Sequence, residues 1–270
     1  MNKFFLSIFV MLFCVNCLFA KDIVTMKLGK YNITGICISS TNHNKDLFRY
    51  KNKDELKNFL DKPNSTVSAI NVFLVETDKH KILFDTGTNS KILLEKLNSI
   101  NIKPKDIDVV CITHMHYDHI AGLINDYNRT FPKADIYIAQ EELDANKNSD
   151  LFLAYSNRIK PFKQNETILS FIKTIPAFGH TAGHTMFEIT SDNQIVLIWG
   201  DIIHAPVQFE EPNIYLTYDS DPISALAVRK KILKDYSDSG KYIAGVHLLN
   251  CGIGKIQKDK TGYKFTFVEE

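Results

Sequence analysis

The stretch that decides the fold is "CITHMHYDHIAG", Cys111–Gly122. It sets His114, His116, Asp118 and His119 within six positions, directly after an apolar run, and holds three of the chain's nine histidines. Cores seldom collect such groups, because each imidazole or carboxylate taken from water needs a hydrogen bond, a counter-charge or a metal. In an extended turn His114 and His116 share a face, since side chains alternate along it. Asp118 and His119 open a helical segment, "YDHIAGLIN", and project to another side. One turn thus offers two imidazoles to one metal, and a carboxylate with an imidazole to a second.

Working outward, the same arrangement recurs at strand ends. "VVCIT" ends and His114 follows; "IVLIWG" ends and Asp201 follows; "YIAGV" ends and His247 follows. "FIKTIPAFG" runs into "HTAGH", with His180 and His184, and "ILF" runs into Asp85. In α/β sheets the carboxyl edge of the strands is where ligand sites form. His184, Asp201 and His247 complete two metal shells, with Asp201 able to bridge through its two oxygens. Imidazole and carboxylate without thiolate suits zinc, with iron or manganese as alternatives. His204, three residues after Asp201, is either a hydrogen-bonding group in the pocket or a packed wall residue. His43 and His80 read as surface residues.

The chain has 270 residues, 44% hydrophobic and 23% charged, in the ordinary globular range. A net charge of +1 gives no field that would recruit nucleic acid or an anionic membrane, so the expected partner is a small-molecule substrate. Residues 1–20 read as a secretory signal peptide, with Lys3, an apolar stretch from Phe4 to Val15, and Ala20 before a polar start. That implies a periplasmic or secreted protein with no membrane attachment once the signal is removed; an uncleaved anchor is the alternative. Cys37, Cys111 and Cys251 then remain, an odd number that makes no full disulfide framework, although Cys37 and Cys251 could pair. Cys111, inside an apolar strand, reads as a small core residue.

Residues 21–270 read as one domain in which strands alternate with helices. Strand patterns fall at "IVTMKL", "ITGICIS", "AINVFLVET", "KILFDTG", "DVVCIT", "ADIYIA", "FIKTI", "TMFEIT", "QIVLIW" and "KYIAGV", with a terminal hairpin at "GIGKIQKDKTGYKFTFVE". "SKILLEKLNSI", "QEELDANK" and "DPISALAVRKKILKDYS" read as helices, the last with an Asp cap and Pro in its first turn. Residues 39–65 are polar and rich in lysine and asparagine, with a helix at "KDELKNFL". They read as a solvated insertion or as a cover over the active site that brings Phe48, Tyr50 and Phe59 near substrate.

"THMHYDH", "GHTAGH", Gly200-Asp201 and His247, with Asp85 of "FDTG", resemble the metallo-β-lactamase fold superfamily over nearly all of residues 21–270. The resemblance implies an α/β fold, an αββα four-layer sandwich of two mixed β-sheets flanked by helices. It implies two zinc ions per chain. His114, His116 and His184 would bind one; Asp118, His119 and His247 would bind the other; Asp201 would bridge. Asp85 and His180 would orient the ligands from behind. "GDIIHAPVQFEEPNI" and "AGVHLLNCGIGKIQK" resemble the secreted branch containing methyl parathion hydrolase and related lactonases. Secreted relatives of this kind often pair, which allows a homodimer.

The activity expected from the resemblance is hydrolysis of a lactone, ester or phosphotriester by a hydroxide held between two metals, with Asp118 shuttling the proton and His204 in the pocket wall. True metallo-β-lactamases lack a bridging aspartate at the Asp201 position, which disfavours β-lactam hydrolysis. A glyoxalase II-like thioesterase is the alternative enzyme, and a non-catalytic periplasmic metal-binding protein is the alternative of another class.

Overall fold

The structure, a computed structural model, describes residues 22–146 and 149–268. The signal-peptide reading of residues 1–20 lies outside them. Among the described residues no helix is long and apolar enough to cross a membrane.

Two seven-stranded sheets form the centre, and in each the spatial order follows the chain order. The first contains β1 (Ile23–Leu28), β2 (Tyr31–Asn42), β3 (Val67–Glu76), β4 (Lys81–Phe84), β5 (Val109–Cys111), β6 (Asp135–Ala139) and β7 (Ile159–Phe162). Its first four strands pair antiparallel and its last four parallel. The second contains β8 (Thr167–Ile168), β9 (Ile172–Pro176), β10 (Thr185–Ser191), β11 (Gln194–Ile198), β12 (Tyr242–Ala244), β13 (Ile253–Lys258) and β14 (Tyr263–Phe267). Only β11 and β12 pair parallel there.

Period-2 alternation explains why central strands are apolar on both faces. Phe73, Val75, Ile82, Phe84, Val109 and Cys111 point inward and meet Phe187, Ile189, Val196 and Ile198 of the second sheet. Their neighbours Val72, Leu74, Leu83 and Val110 point outward. The helices are α1 (Lys53–Leu60), α2 (Ser90–Ser99), α3 (Tyr117–Ile120), α4 (Gln140–Ala145), α5 (Asp150–Tyr155), α6 (Val207–Glu210) and α7 (Pro222–Tyr236). Leu93 and Leu97 of α2 cover the first sheet; Ile232, Leu233 and Tyr236 of α7 cover the second, with Trp199. This is the four-layer sandwich expected from sequence.

The Asp221 side chain caps α7, accepting from the N–H groups of Ile223 and Ser224, and Pro222 supplies a preset φ. The sequence reading omitted β7, because Pro161 lies in "IKPF". An edge strand tolerates that residue, since no further strand needs its missing N–H.

Residues 39–65 lengthen β2 and then pack on the loop that follows Asp201. Phe48-Arg49 pairs with Tyr215-Leu216, and Phe48 and Leu60 are buried with Ala205, Val207, Ile214 and Leu216. Tyr50 donates its hydroxyl to Glu211 at 3.0 Å. Phe48, Tyr50 and Phe59 therefore build this cluster instead of facing substrate. Apolar side chains in a polar segment found a buried face that only the tertiary fold supplies.

Candidate metal centre

The strand ends at one rim carry the functional side chains. Asp85 follows β4, His114 follows β5, His180 follows β9, Asp201 follows β11 and His247 follows β12. Asp85 adopts a left-handed φ of 57°, which Asp tolerates better than branched residues do. That turn sends its carboxylate back across β5. It accepts from the Thr113 N–H and hydroxyl, both at 2.8 Å, and from His119 Nδ1 at 2.7 Å.

Asp201 lies at the middle of the cluster and is buried. Its Oδ2 is 3.1 Å from His180 Nε2, 3.2 Å from both His204 Nε2 and His247 Nε2, and 3.8 Å from His114 Nε2. Its Oδ1 is 3.1 Å from His119 Nε2. Asp118 Oδ2 stands 3.6 Å from both His119 Nε2 and His247 Nε2. His116 turns the other ring atom inward, with Nδ1 2.9 Å from His180 Nε2. Three overlapping groups of metal-competent atoms result among the described residues: His114, His116, His180 and Asp201; Asp118, His119 and His247; and Asp201, His204 and His247.

Hydrogen bonds at the back of the rings fix which nitrogen carries the proton. His180 Nδ1 donates to Asp219 at 2.9 Å, and His247 Nδ1 donates to the Ala69 carbonyl at 2.8 Å. His119 Nδ1 donates to Asp85, and His114 Nδ1 lies 3.1 Å from the Thr113 hydroxyl. Each then turns Nε2 to the centre, the atom a metal would take in place of a proton. His119 Nε2 and Asp201 Oδ1 are close but misaligned for a hydrogen bond. Both atoms, like His114 Nε2, are buried without any hydrogen-bond partner. Such atoms are costly unless a cation binds them, so the donor set fits bound metal.

The two histidines of "GHTAGH" exchange the places expected for them. His184 was read as a ligand and His180 as its support; the fold puts His180 in the ring and His184 behind it. Both His184 nitrogens are engaged: Nδ1 donates to the Ala177 carbonyl at 3.1 Å, and Nε2 accepts the Asp201 N–H at 2.9 Å. Gly200 makes that approach feasible. Its φ is 58°, and a Cβ there would lie 2.3 Å from His184 Nε2.

Electrostatics follow from one carboxylate among many imidazoles. Burial pushes the Asp201 carboxyl up, but His247, His119, His114 and His180 outweigh it and hold the group well below the usual range. Burial also opposes charge on His180, yet Asp201 and Asp219 push it up to about 9. Burial, reinforced by His180, pulls His184 down to about 3, and burial brings His204 down to about 4. Protons on His180 and His119 thus supply, in the protein alone, positive charge that the Asp201 carboxylate attracts. Metal binding displaces such protons.

Several supporting residues carried no sequence signal. Glu142 of α4 is buried and accepts from Met115 N–H and Gly183 N–H, both at 2.9 Å, and from the Thr181 hydroxyl. It ties the loop of His114 and His116 to the loop of His180. Arg229 of α7 is buried, donates to the carbonyls of Ile202 at 2.8 Å and Ile214 at 2.7 Å, and lies 3.6 Å from Asp219. A cavity of about 440 Å³ opens onto the centre, with Thr41, Ser68, Ile70 and Tyr218 in its wall. His43, read from sequence as a surface residue, lines it too and sits about 6 Å from the rings of His204 and Tyr218.

The metallo-beta-lactamase superfamily pattern matches residues 65–244, which hold Asp85, His114, His180 and Asp201 and end three residues before His247. The chain belongs to the metallo-β-lactamase superfamily. Among solved structures, the hydrolase AbOPH, in the beta lactamase superfamily, matches with a TM-score of 0.83 at 26% identity, covering 92% of this chain and 98% of its own. AidC, a dizinc quorum-quenching lactonase in complex with a product, matches with a TM-score of 0.83 at 26% identity, covering 93% and 99%. A probable metallo-hydrolase of Methanocaldococcus jannaschii is 37% identical over 104 residues, 38% of this chain. That match spans 43% of the relative's length, less than half of it.

Proposed function

We propose that this metallo-hydrolase opens a lactone or cleaves an ester or phosphotriester, with two zinc ions held by His114, His116 and His180 on one side, Asp118, His119 and His247 on the other, and Asp201 between. The observation that carries the reading is the convergence of imidazole Nε2 atoms on the buried Asp201 carboxylate, with His114 Nε2, His119 Nε2 and Asp201 Oδ1 lacking hydrogen-bond partners. Lactone chemistry leads because AidC, similar over 93% of this chain, is a lactonase. Bound there, a metal pair supplies Lewis acidity and lowers the pKa of water enough to give a nucleophile near neutral pH.

The protein's own groups do the rest. Asp118 is the partly exposed acid of the set, with 29% of its side chain open to solvent, at the cavity wall. It takes the proton of the attacking water and passes it to the leaving alkoxide, so that a lactone yields a hydroxy acid. Asp85, Asp219 and Ala69 hold His119, His180 and His247 in one tautomer. The cavity of about 440 Å³ walled by β2, β3 and the loop after Asp201 supports a small-molecule substrate. Secretion after removal of residues 1–20 is part of the same proposal.

Elemental analysis of metal per chain tests the reading, paired with hydrolysis of an acyl homoserine lactone, an aryl ester, paraoxon, S-lactoylglutathione and a cephalosporin. Two metals with preferred lactone, ester or phosphotriester turnover are expected. Preferred S-lactoylglutathione turnover would move the assignment to a thioesterase. No turnover with two metals bound would leave a metal-binding protein. With metal content matched to wild type, Asp118→Asn should lose about 100-fold or more of the turnover; unchanged turnover would remove Asp118 from the mechanism.

A further inference from the structure

We propose that His204 is itself a metal ligand, adding a fifth protein group to the side formed by Asp118, His119, His247 and Asp201. This rests on the reading of the centre as a metal pair. Asp201, His204 and His247 present ligand atoms within 4.8 Å of one another, all three residues being buried.

Three observations place the ring there. His204 stacks on His247 with centroids 5.1 Å apart and planes at 17°, and each directs Nε2 to within 3.2 Å of the same Asp201 oxygen. That oxygen also faces His180 Nε2 at 3.1 Å. The hydrogen bonds of His204 and His247 Nε2 use both lone pairs of that oxygen, which leaves none for the His180 Nε2 beside it. His180 and His247 already donate from Nδ1, and a cation between the nitrogens and the oxygen resolves the excess. His204 Nδ1 is buried without a hydrogen-bond partner, so the ring is anchored through Nε2, which donates to Asp201 Oδ2 at 3.2 Å in the protein alone and is the atom a metal would take in place of that proton.

The backbone is also built to hold this ring. The His204 N–H donates to Gln208 Oε1 at 2.7 Å, and Gln208 Nε2 donates to the Ile214 carbonyl at 3.0 Å. Arg229 ties both ends of that loop through Ile202 and Ile214.

A fifth protein donor changes metal preference. Zinc favours four ligands, whereas manganese, iron and cobalt accept six with mixed nitrogen and oxygen donors. His204 therefore biases one of the two positions toward a metal of higher coordination number.

The test titrates metal-stripped wild type, His204→Phe and His204→Gln with Co²⁺, read by visible absorption and by metal analysis, and repeats it with Zn²⁺ and Mn²⁺ in competition. Circular dichroism confirms that each variant is folded. Wild type should bind two Co²⁺ with the weak bands of a six-coordinate site. His204→Phe should bind one of them about 10–100-fold more weakly, with stronger bands from a lower coordination number and a shift in competition toward zinc. His204→Gln, which can still donate a hydrogen bond to Asp201, should behave like His204→Phe. Wild-type spectra and affinities in both variants, or rescue by Gln alone, would make His204 a hydrogen-bonding wall residue and overturn the inference while leaving the metal centre intact. Wild type that binds no metal would overturn the reading of the centre as well.

Discussion

Glu142 offers the sharpest test of how the centre is assembled. Its carboxylate accepts from Met115 N–H, Gly183 N–H and the Thr181 hydroxyl, joining two loops that belong to different sheets. Glu142→Gln keeps the volume but replaces one acceptor oxygen with an NH₂ group. If the amide oxygen stays with Gly183 and Thr181, the NH₂ faces the Met115 N–H, donor against donor. A hydrogen bond to a charged group contributes about 1.5–3 kcal/mol, and a buried orphaned N–H costs about 1–3 kcal/mol. These overlap, so a net loss of about 3 kcal/mol is expected. For a domain of this size that lowers Tm by roughly 6–12 °C. Because His114 and His116 lie on one loop and His180 on the other, metal affinity should fall about 10–100-fold as well. Urea unfolding of the metal-free protein reads the first effect, and competition with a chelator reads the second. Wild-type midpoints in both would refute the idea that Glu142 sets the spacing of the loops.

Other perturbations follow from the same geometry. Gly200→Ala puts a Cβ against His184 at a left-handed φ, so a loss of at least about 1–3 kcal/mol in unfolding free energy is expected, together with weaker metal binding; wild-type stability would mean that His184 does not brace Asp201. Arg229→Met removes the cation beside buried Asp219 and leaves the loop carbonyls unpaired, at a cost of about 3–5 kcal/mol by denaturant titration. Metal-free protein should lose stability on acidification. His184 and His204 titrate at about 3 and about 4 when folded and near 6.5 when unfolded, so the unfolded chain binds more protons between those limits. Stability therefore rises with pH through that window, and thermal melts at pH 4.5 and 7 that coincide would contradict the buried neutral state of these rings.

The amino-acid sequence by itself determined the residue types and their local order. Alternation along "THMH" gives two imidazoles on one face, and the apolar runs ending at Asp85, His114, Asp201 and His247 place those groups at strand ends whatever the packing. Continuous apolar runs such as "VFLV" also fit strands covered on both faces, while the four layers were expected from the resemblance of "THMHYDH" and "GHTAGH" to the metallo-β-lactamase fold superfamily. The tertiary structure decided the rest, because a ligand is defined by distance across the fold. His180 and His184 are alike in sequence terms. Only the Ala177 carbonyl and the Asp201 N–H, which occupy both nitrogens of His184, exclude it from the ring. Glu142, Asp219 and Arg229 act on partners 10 to 41 residues away, beyond any local period. His43 reads as exposed until the second sheet brings His204 and His247 beside it. Local chemistry is written in the order of residues, but which nitrogen faces the metal depends on hydrogen bonds that form only when the two sheets pack.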